Sequence, residues 1–436
     1  MKRLFAYTAL LLATAACNRL ASPEQELRDF IRSSWEQSVR TNTQDDDTLL
    51  GLPHPYTVPS VSGMFQEMYY WDTFFTNEGL LADGLTEQAR NNTDNLLAMV
   101  ERFGFVPNGS RTWYLNRSQP PYLCMMADRV WQHTGDTQWL QKAFPLLVRE
   151  YRFWMTERMT PAGLNRYSSS ADDELLREFV ATGSRRLNHD FTADAPDDRS
   201  LTALGRHFAA EAESGWDFNP RFERRCEDFC PIDLNANLCI YEQTFARWSE
   251  LFGDSDAAQM WSERARNRRD IINRLCKGDD GLYYDYDYVN DRRSEVISAA
   301  LFNLLWAGIP DEQSAQQLAD KALAALEFEY GIAACADTPC GYDYQWSYPN
   351  AWAPLTWLAV KGLETNRRPG DARRIARKYI RAMTGIYQHT GNLWEKYNVR
   401  TGSTDVNNEY EMPQMLGWSA GVFVCLDEWL GNNTKL

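Results

Sequence analysis

Apolar residues return at helical spacing in one segment after another of this 436-residue chain. Leu238, Tyr241, Phe245 and Trp248 fall on one face of a candidate helix, and Ala258, Trp261, Ala265 and Ile272 on one face of the next. Leu318, Ala322, Ala325 and Leu326 repeat the pattern after Pro310-Asp311, and Ile375, Tyr379, Ile380 and Met383 repeat it after Pro369-Gly370. Both dipeptides are helix-start signals. Between these segments lie loops rich in Gly, Pro, Asn and aromatic residues, at 106–121, 213–221 and 341–354. The alternation predicts helical hairpins whose connecting loops carry function on a rigid scaffold. No strand–helix–strand alternation and no glycine-rich phosphate loop is present, which disfavours a nucleotide-binding fold. The polar, charged stretch 172–217 reads as a long excursion or an insertion over the site.

Composition narrows the partner. A formal net charge of −15 argues against nucleic acid, whose binding needs Lys and Arg to neutralise phosphates. The aromatic load of 16 Trp, 21 Tyr and 20 Phe suits both cores and sugar-stacking clefts, so a small neutral ligand is the easier partner.

The N-terminus reads as an export signal. Lys2 and Arg3 precede an apolar run from Leu4 to Ala16, which is too short to span a bilayer as a helix. Leu12-Ala13-Thr14-Ala15-Ala16-Cys17 resembles a bacterial lipoprotein processing site. Residues 1–22 are therefore assigned to a leader and short linker, and 23–436 to one domain. The expected location is the periplasm, with either a lipid anchor at Cys17 or plain cleavage. Of nine cysteines, eight remain beside Cys17. An oxidising compartment could pair them, and Cys226/Cys230 and Cys335/Cys340 are nearest in sequence. Free buried thiols, Cys239 and Cys425 among them, are the equal alternative. Zinc is poorly supported, because Cys226 and Cys230 lack a second ligand pair.

Several loops hold carboxylates among aromatic residues: Glu67 and Asp72, Glu213 and Asp217, Glu395 in Trp394-Glu395-Lys396-Tyr397, and Glu409 beside Tyr410. Glycoside hydrolysis needs two carboxyl groups, one to protonate the leaving oxygen and one to activate water or attack the sugar. An apolar ring beside a carboxyl raises its pKa, as a general acid requires. Singly, each is more often a surface charge or a helix cap. Gly215 would admit close approach of backbone to a ligand, or simply make a turn.

These motifs, in this order, resemble the trehalase family of glycoside hydrolases. Glu213-Ser214-Gly215-Trp216-Asp217-Phe218 with Arg221 resembles its acid loop, and 106–109 running to Asn116-Arg117-Ser118-Gln119-Pro120-Pro121 its sugar-binding loop. Gln345-Trp346-Ser347-Tyr348-Pro349-Asn350-Ala351-Trp352-Ala353-Pro354 is similar to its second signature, and Glu395-Lys396-Tyr397 to its base motif. Pro231-Ile232-Asp233-Leu234-Asn235-Ala236 and Tyr283-Tyr284-Asp285-Tyr286 also look like family segments, so the likeness runs from about Pro59 to Val424.

The resemblance implies an all-α (α/α)6 toroid with the site at one end. It implies hydrolysis of α,α-trehalose to two glucose molecules with inversion, no metal and no cofactor, by a chain expected to act as a monomer. Asp217 would be the general acid and Glu395 the general base. Phe65, Tyr69, Trp71, Asp72, Asn108, Arg117, Ser118, Gln119, Gly215, Trp346 and Glu409 would hold the sugars. Two family arginines are replaced, one by Met64 and one near Asp172-Asp173-Glu174, and Ser347 stands for a usual aspartate. Neither Met nor Asp offers the donors of a guanidinium. Three readings therefore stand: a trehalase, an inverting α-glucosidase of a related toroidal family acting on another α-glucoside or glucosyl-polyol, and a non-catalytic carbohydrate-binding lipoprotein. Arg185 and Arg186, in the extra segment, could reach the vacated space.

Overall fold

The computed structural model describes residues 22–433 apart from Cys340 and Met415. Fourteen helices run in chain order among them: α1 (Pro23–Ser34), α2 (Tyr70–Ala82), α3 (Thr86–Phe103), α4 (Leu123–Thr134), α5 (Thr137–Glu157), α6 (Asp173–Arg186) and α7 (Asp198–Ser214). They continue as α8 (Ile232–Leu251), α9 (Ser255–Leu275), α10 (Leu301–Trp306), α11 (Glu312–Leu326), α12 (Ala353–Thr365), α13 (Pro369–Thr390) and α14 (Gly417–Asn433).

Helices α2, α4, α8, α10, α12 and α14 each pack on the next, and α14 packs back on α2, so the six close a ring. Helices α3, α5, α9, α11 and α13 back the ring from outside, each packed on or beside an inner helix, and α1 lies against α13. The expected toroid of helical hairpins is what the chain forms. Burial follows from this arrangement. In inner α2 every residue from Tyr70 to Leu81 is buried, whereas outer α9 buries only Ala258, Trp261, Ala265, Arg268 and Ile272, the single stripe of an amphipathic surface helix. The stripes read on α8 and α13 are buried too, while Ala325 on α11 is only half-buried.

The ring closes between α2 and α14 through a glycine pair. A Cβ on Gly79 would stand 2.4 Å from Gly421 Cα, and one on Gly421 would stand 2.2 Å from the carbonyl oxygen of Phe75. Chain ends are stitched across the same seam: Arg28 on α1 donates to the Val424 carbonyl oxygen and to Asp427, both at 3.1 Å.

Helices α6 and α7 stand outside this ring. They pack on each other around a small apolar cluster of their own, Val180, Leu187, Phe191 and Phe208, completed by Phe218 and Tyr344 from the 213–221 and 341–354 loops. The polar stretch 172–217 is thus a helical hairpin laid over one end of the toroid. Of the cysteines, Cys226 and Cys230 are separate buried thiols rather than disulfide partners, and Cys239 is another buried thiol. Cys340 and Cys17 lie outside the described residues.

Candidate active site

The loops that precede the inner helices meet at one end of the ring and line a single cavity. Its wall contains Phe65, Tyr69, Trp71, Asp72, Asn108, Arg117, Gln119, Gly215, Asp217, Trp346 and Glu395, eleven of the residues expected there. Tyr114, Arg186, Ala212, Trp352, Tyr410 and Trp418 complete it.

Short pairings explain why distant motifs converge. Asn350–Trp352 and Lys396–Asn398 form an antiparallel two-stranded ribbon in which Trp352 faces Lys396, so the second signature and the base motif are neighbours. An isolated bridge between Tyr69 and Gly109 does the same for the 65–72 and 106–121 loops. The indoles of Trp346 and Trp352 stack at 3.7 Å with planes 1° apart, and Trp216 stacks on Trp346 at 5.2 Å. Trp71 lies 5.7 Å from Trp346 and 5.8 Å from Trp418. This rigid aromatic floor is the surface on which a sugar ring can lie.

Asp217 ends a loop that is held from below. Arg221, wholly buried, donates to Asp285 at 2.8 and 2.9 Å and to Asp233 at 2.5 Å, and its guanidinium lies 4.5 Å from the Trp216 ring. The two segments recognised as Pro231–Ala236 and Tyr283–Tyr286 therefore serve to anchor the acid loop. Gly215 closes α7 at φ 72°, and a Cβ there would stand 3.0 Å from the Trp71 ring, so both backbone angle and space call for glycine. Gln345 donates from Nε2 to the Asp217 carbonyl oxygen at 2.5 Å, and the Asp217–Phe218 peptide is cis.

Glu395 is buried with both oxygens engaged. Tyr410 donates to Oε1 at 2.7 Å and Lys396 to Oε2 at 2.8 Å. Lys396 also donates to Oε1 of Gln345 at 3.1 Å, so one buried relay, Glu395–Lys396–Gln345–Asp217, joins base loop to acid loop. Burial raises the Asp72 carboxyl to about 8, helped by the charge of Glu395. Burial likewise raises Glu409 to about 7, with Asp217 adding to the effect. The Tyr410 hydroxyl is pushed well up by burial and by Glu395 and Asp217, which keeps it a proton donor.

Phe65, at the cavity, sits at φ 60°. For a bulky residue this costs about 1–3 kcal/mol and is characteristic of functional positions. Gln119 accepts from the Trp71 amide at 3.1 Å, and Asn108 donates to the carbonyl oxygens of Ser118 at 3.3 Å and Ala212 at 3.4 Å. Arg117 is packed between the rings of Tyr114 and Phe179.

Two of the expected residues do not line the cavity. Ser118 is buried behind it, its hydroxyl donating to the Val106 carbonyl oxygen at 2.6 Å. Glu409 lies behind the acid loop, where Oε1 accepts from the amides of Phe218 at 3.3 Å and Gln345 at 3.1 Å. Two further carboxylates prove structural. Glu213 pairs with Arg158 and accepts from the amides of Ser118 and Ser168, while Glu67 takes the Tyr69 hydroxyl and pairs with Arg111. Met64 is 44% exposed and outside the lining. Arg186 is inside it, with Nη1 2.6 Å from Asp217 Oδ2. Among the residues that sequence reading did not place in the site, Tyr410, Trp352 and Lys396 lay within recognised motifs, and that adjacency was the available signal. Tyr114 lay inside the 106–121 loop and Ala212 directly before Glu213, whereas Trp418 had no such signal.

Similarity to known proteins agrees with this geometry. The chain matches the trehalase family over residues 13–430. It is 33% identical over 426 residues to a periplasmic trehalase of Salmonella agona, covering 91% of this chain and 72% of that protein. It is 32% identical over 419 residues to a periplasmic trehalase of Xanthomonas campestris pv. campestris, covering 92% and 72%. Among solved structures, the neutral trehalase of Saccharomyces cerevisiae superposes with a TM-score of 0.75 at 26% identity, over 95% of this chain and 81% of that one. A mannosylglycerate hydrolase from Thermus thermophilus, at 17% identity and a TM-score of 0.63 over 92% and 99%, shares the fold. The chain belongs to the trehalase family and is a glycoside hydrolase.

Proposed function

We propose that residues 23–436 act as one monomeric unit that hydrolyses α,α-trehalose to two glucose molecules with inversion, using Asp217 as general acid and Glu395 as general base. The observation that carries this reading is that the two carboxyl groups line one aromatic-walled cavity and their loops are joined by a buried polar relay. The named activities of the relatives support the substrate, and their periplasmic setting supports the periplasm for this chain. For the leader we favour a lipid anchor at Cys17.

In the reaction, Glu395 takes a proton from water as the water oxygen bonds to the anomeric carbon. The bond from that carbon to the bridging oxygen breaks, and Asp217 gives its proton to the leaving oxygen. Both carboxyl groups then exchange protons with solvent and return to their starting states. Lys396 and Tyr410 hold Glu395 by both oxygens, and the Trp71–Trp346–Trp352 floor orients the ring. Arg117, Gln119, Asn108 and Asp72 offer donors and acceptors to its hydroxyls, and no cofactor is required. General acid–base groups typically contribute about 10²–10⁴-fold each. Steady-state kinetics on trehalose should show Asp217→Asn and Glu395→Gln each losing kcat by at least about 10²-fold, and retention of wild-type kcat by either would remove that residue from its role.

A further inference from the structure

We propose that Arg186, delivered by the α6–α7 hairpin, grips the leaving half of the substrate, so that this hairpin sets which leaving group the enzyme accepts. The inference rests on the reading of Asp217 as general acid.

The hairpin is built to present this residue to the acid. Asp172 caps α6, its side chain accepting from the Leu175 amide, and Arg186 is the last residue of that helix. The apolar cluster under the hairpin includes Phe218, the residue after Asp217, so hairpin and acid loop share one small core. Phe179 of α6 also packs on the guanidinium of Arg117, 5.2 Å away, which places a second cavity arginine under the same element.

The side of the cavity follows from the chemistry. A general acid must face the oxygen that leaves, so a group in direct contact with the acid faces the leaving half. Arg186 touches Oδ2 of Asp217 at 2.6 Å. The Arg186 guanidinium lies 5.3 Å from the Tyr410 ring and 6.0 Å from the Phe218 ring, a position that fixes its plane. Among the described residues its single hydrogen bond is the one to Asp217. A guanidinium has five N–H donors in a rigid fork, so most of its donors remain for ligand hydroxyls. A second sugar ring, with hydroxyls on adjacent carbons, can use that fork in pairs. A monohydric alcohol cannot.

The test separates leaving-side binding from effects on the acid or on folding. In an E395Q background, which keeps Asp217 and Arg186 and slows turnover by at least about 10²-fold, calorimetry would compare trehalose with 1,5-anhydroglucitol, a neutral one-ring glucose analogue. Adding R186A should weaken trehalose binding about 10–100-fold, the value of a charged hydrogen bond or two. The one-ring analogue should change by no more than about 3-fold, within the spread expected for a substitution outside its contacts. R186K should recover only part of the loss, since an ammonium lacks the fork. Equal weakening of both ligands, or unchanged trehalose affinity, would overturn the proposal. Failure of the underlying functional reading shows separately, as wild-type protein that leaves trehalose intact, and would take this assignment with it.

Discussion

Lys396 lies wholly buried with its ammonium 2.8 Å from Oε2 of Glu395, and through Gln345 it reaches the carbonyl oxygen of Asp217. In the proposed mechanism, a carboxylate held at one oxygen by an ammonium and at the other by a phenol stays in place beside the water it activates. The relay ties the Glu395 loop to the Asp217 loop through the protein's own contacts.

Lys396→Met should therefore damage both function and fold. Removing one partner of a buried ion pair costs about 3–5 kcal/mol because the other charge is left uncompensated. Thermal unfolding of the variant should show a clearly lowered midpoint. In the folded fraction, kcat for trehalose should fall more than KM rises, because the lost contact orients a reacting group. A KM effect alone would assign Lys396 to substrate binding instead.

Arg221 makes no contact with the cavity, yet it should be the most sensitive position in the acid loop. Its loss strands Asp233 and Asp285, both buried, beneath Trp216. Arg221→Met should destabilise the protein by about 3–5 kcal/mol, measured by denaturant unfolding. Replacing all three residues of this cluster with apolar ones of similar size should cost less than the single change, as buried ion clusters replaced whole often do.

Stability should fall as pH rises through the neutral range in the ligand-free protein. Asp72 is raised from 3.8 to about 8 in the fold. Between those values the folded state binds more protons than the unfolded state, so unfolding becomes easier as pH increases. The contribution is fully present below 3.8 and lost by about 8. Glu409 and Glu150, each raised to about 7 by burial, act with the same sign. Asp72→Asn should flatten the midpoint-versus-pH curve between pH 5 and 8, removing up to about 1.4 kcal/mol per pH unit. An unchanged slope would show that Asp72 titrates normally.

Much of the fold was legible because a helix declares itself locally. The α8 and α9 stripes follow from 3.6-residue periodicity alone, and Pro369-Gly370 marks the start of α13 within a residue. Motif order brought together in one cavity eleven of the thirteen residues expected at the site. What could not be read was which carboxylates serve chemistry and which serve structure. Glu213 and Glu67 sit in the same aromatic surroundings as Asp217, and only the partners Arg158 and Arg111 identify them as anchors. Ser118 lies behind the cavity, its hydroxyl turned inward to the Val106 carbonyl oxygen. For the substituted arginines the sequence offered Arg185 and Arg186 as candidates, and Arg186 lines the cavity from the far end of a helix begun near one of the substituted positions.

The proposed mechanism needs two carboxyl groups acting from opposite sides of the anomeric carbon. The direct test is proton NMR of the first-formed sugars when protein lacking residues 1–22 is added to trehalose. Inversion releases α- and β-glucose in equal amounts before mutarotation. Release of α-glucose alone would mean retention, and would contradict the assignment of Glu395 as a base that activates water.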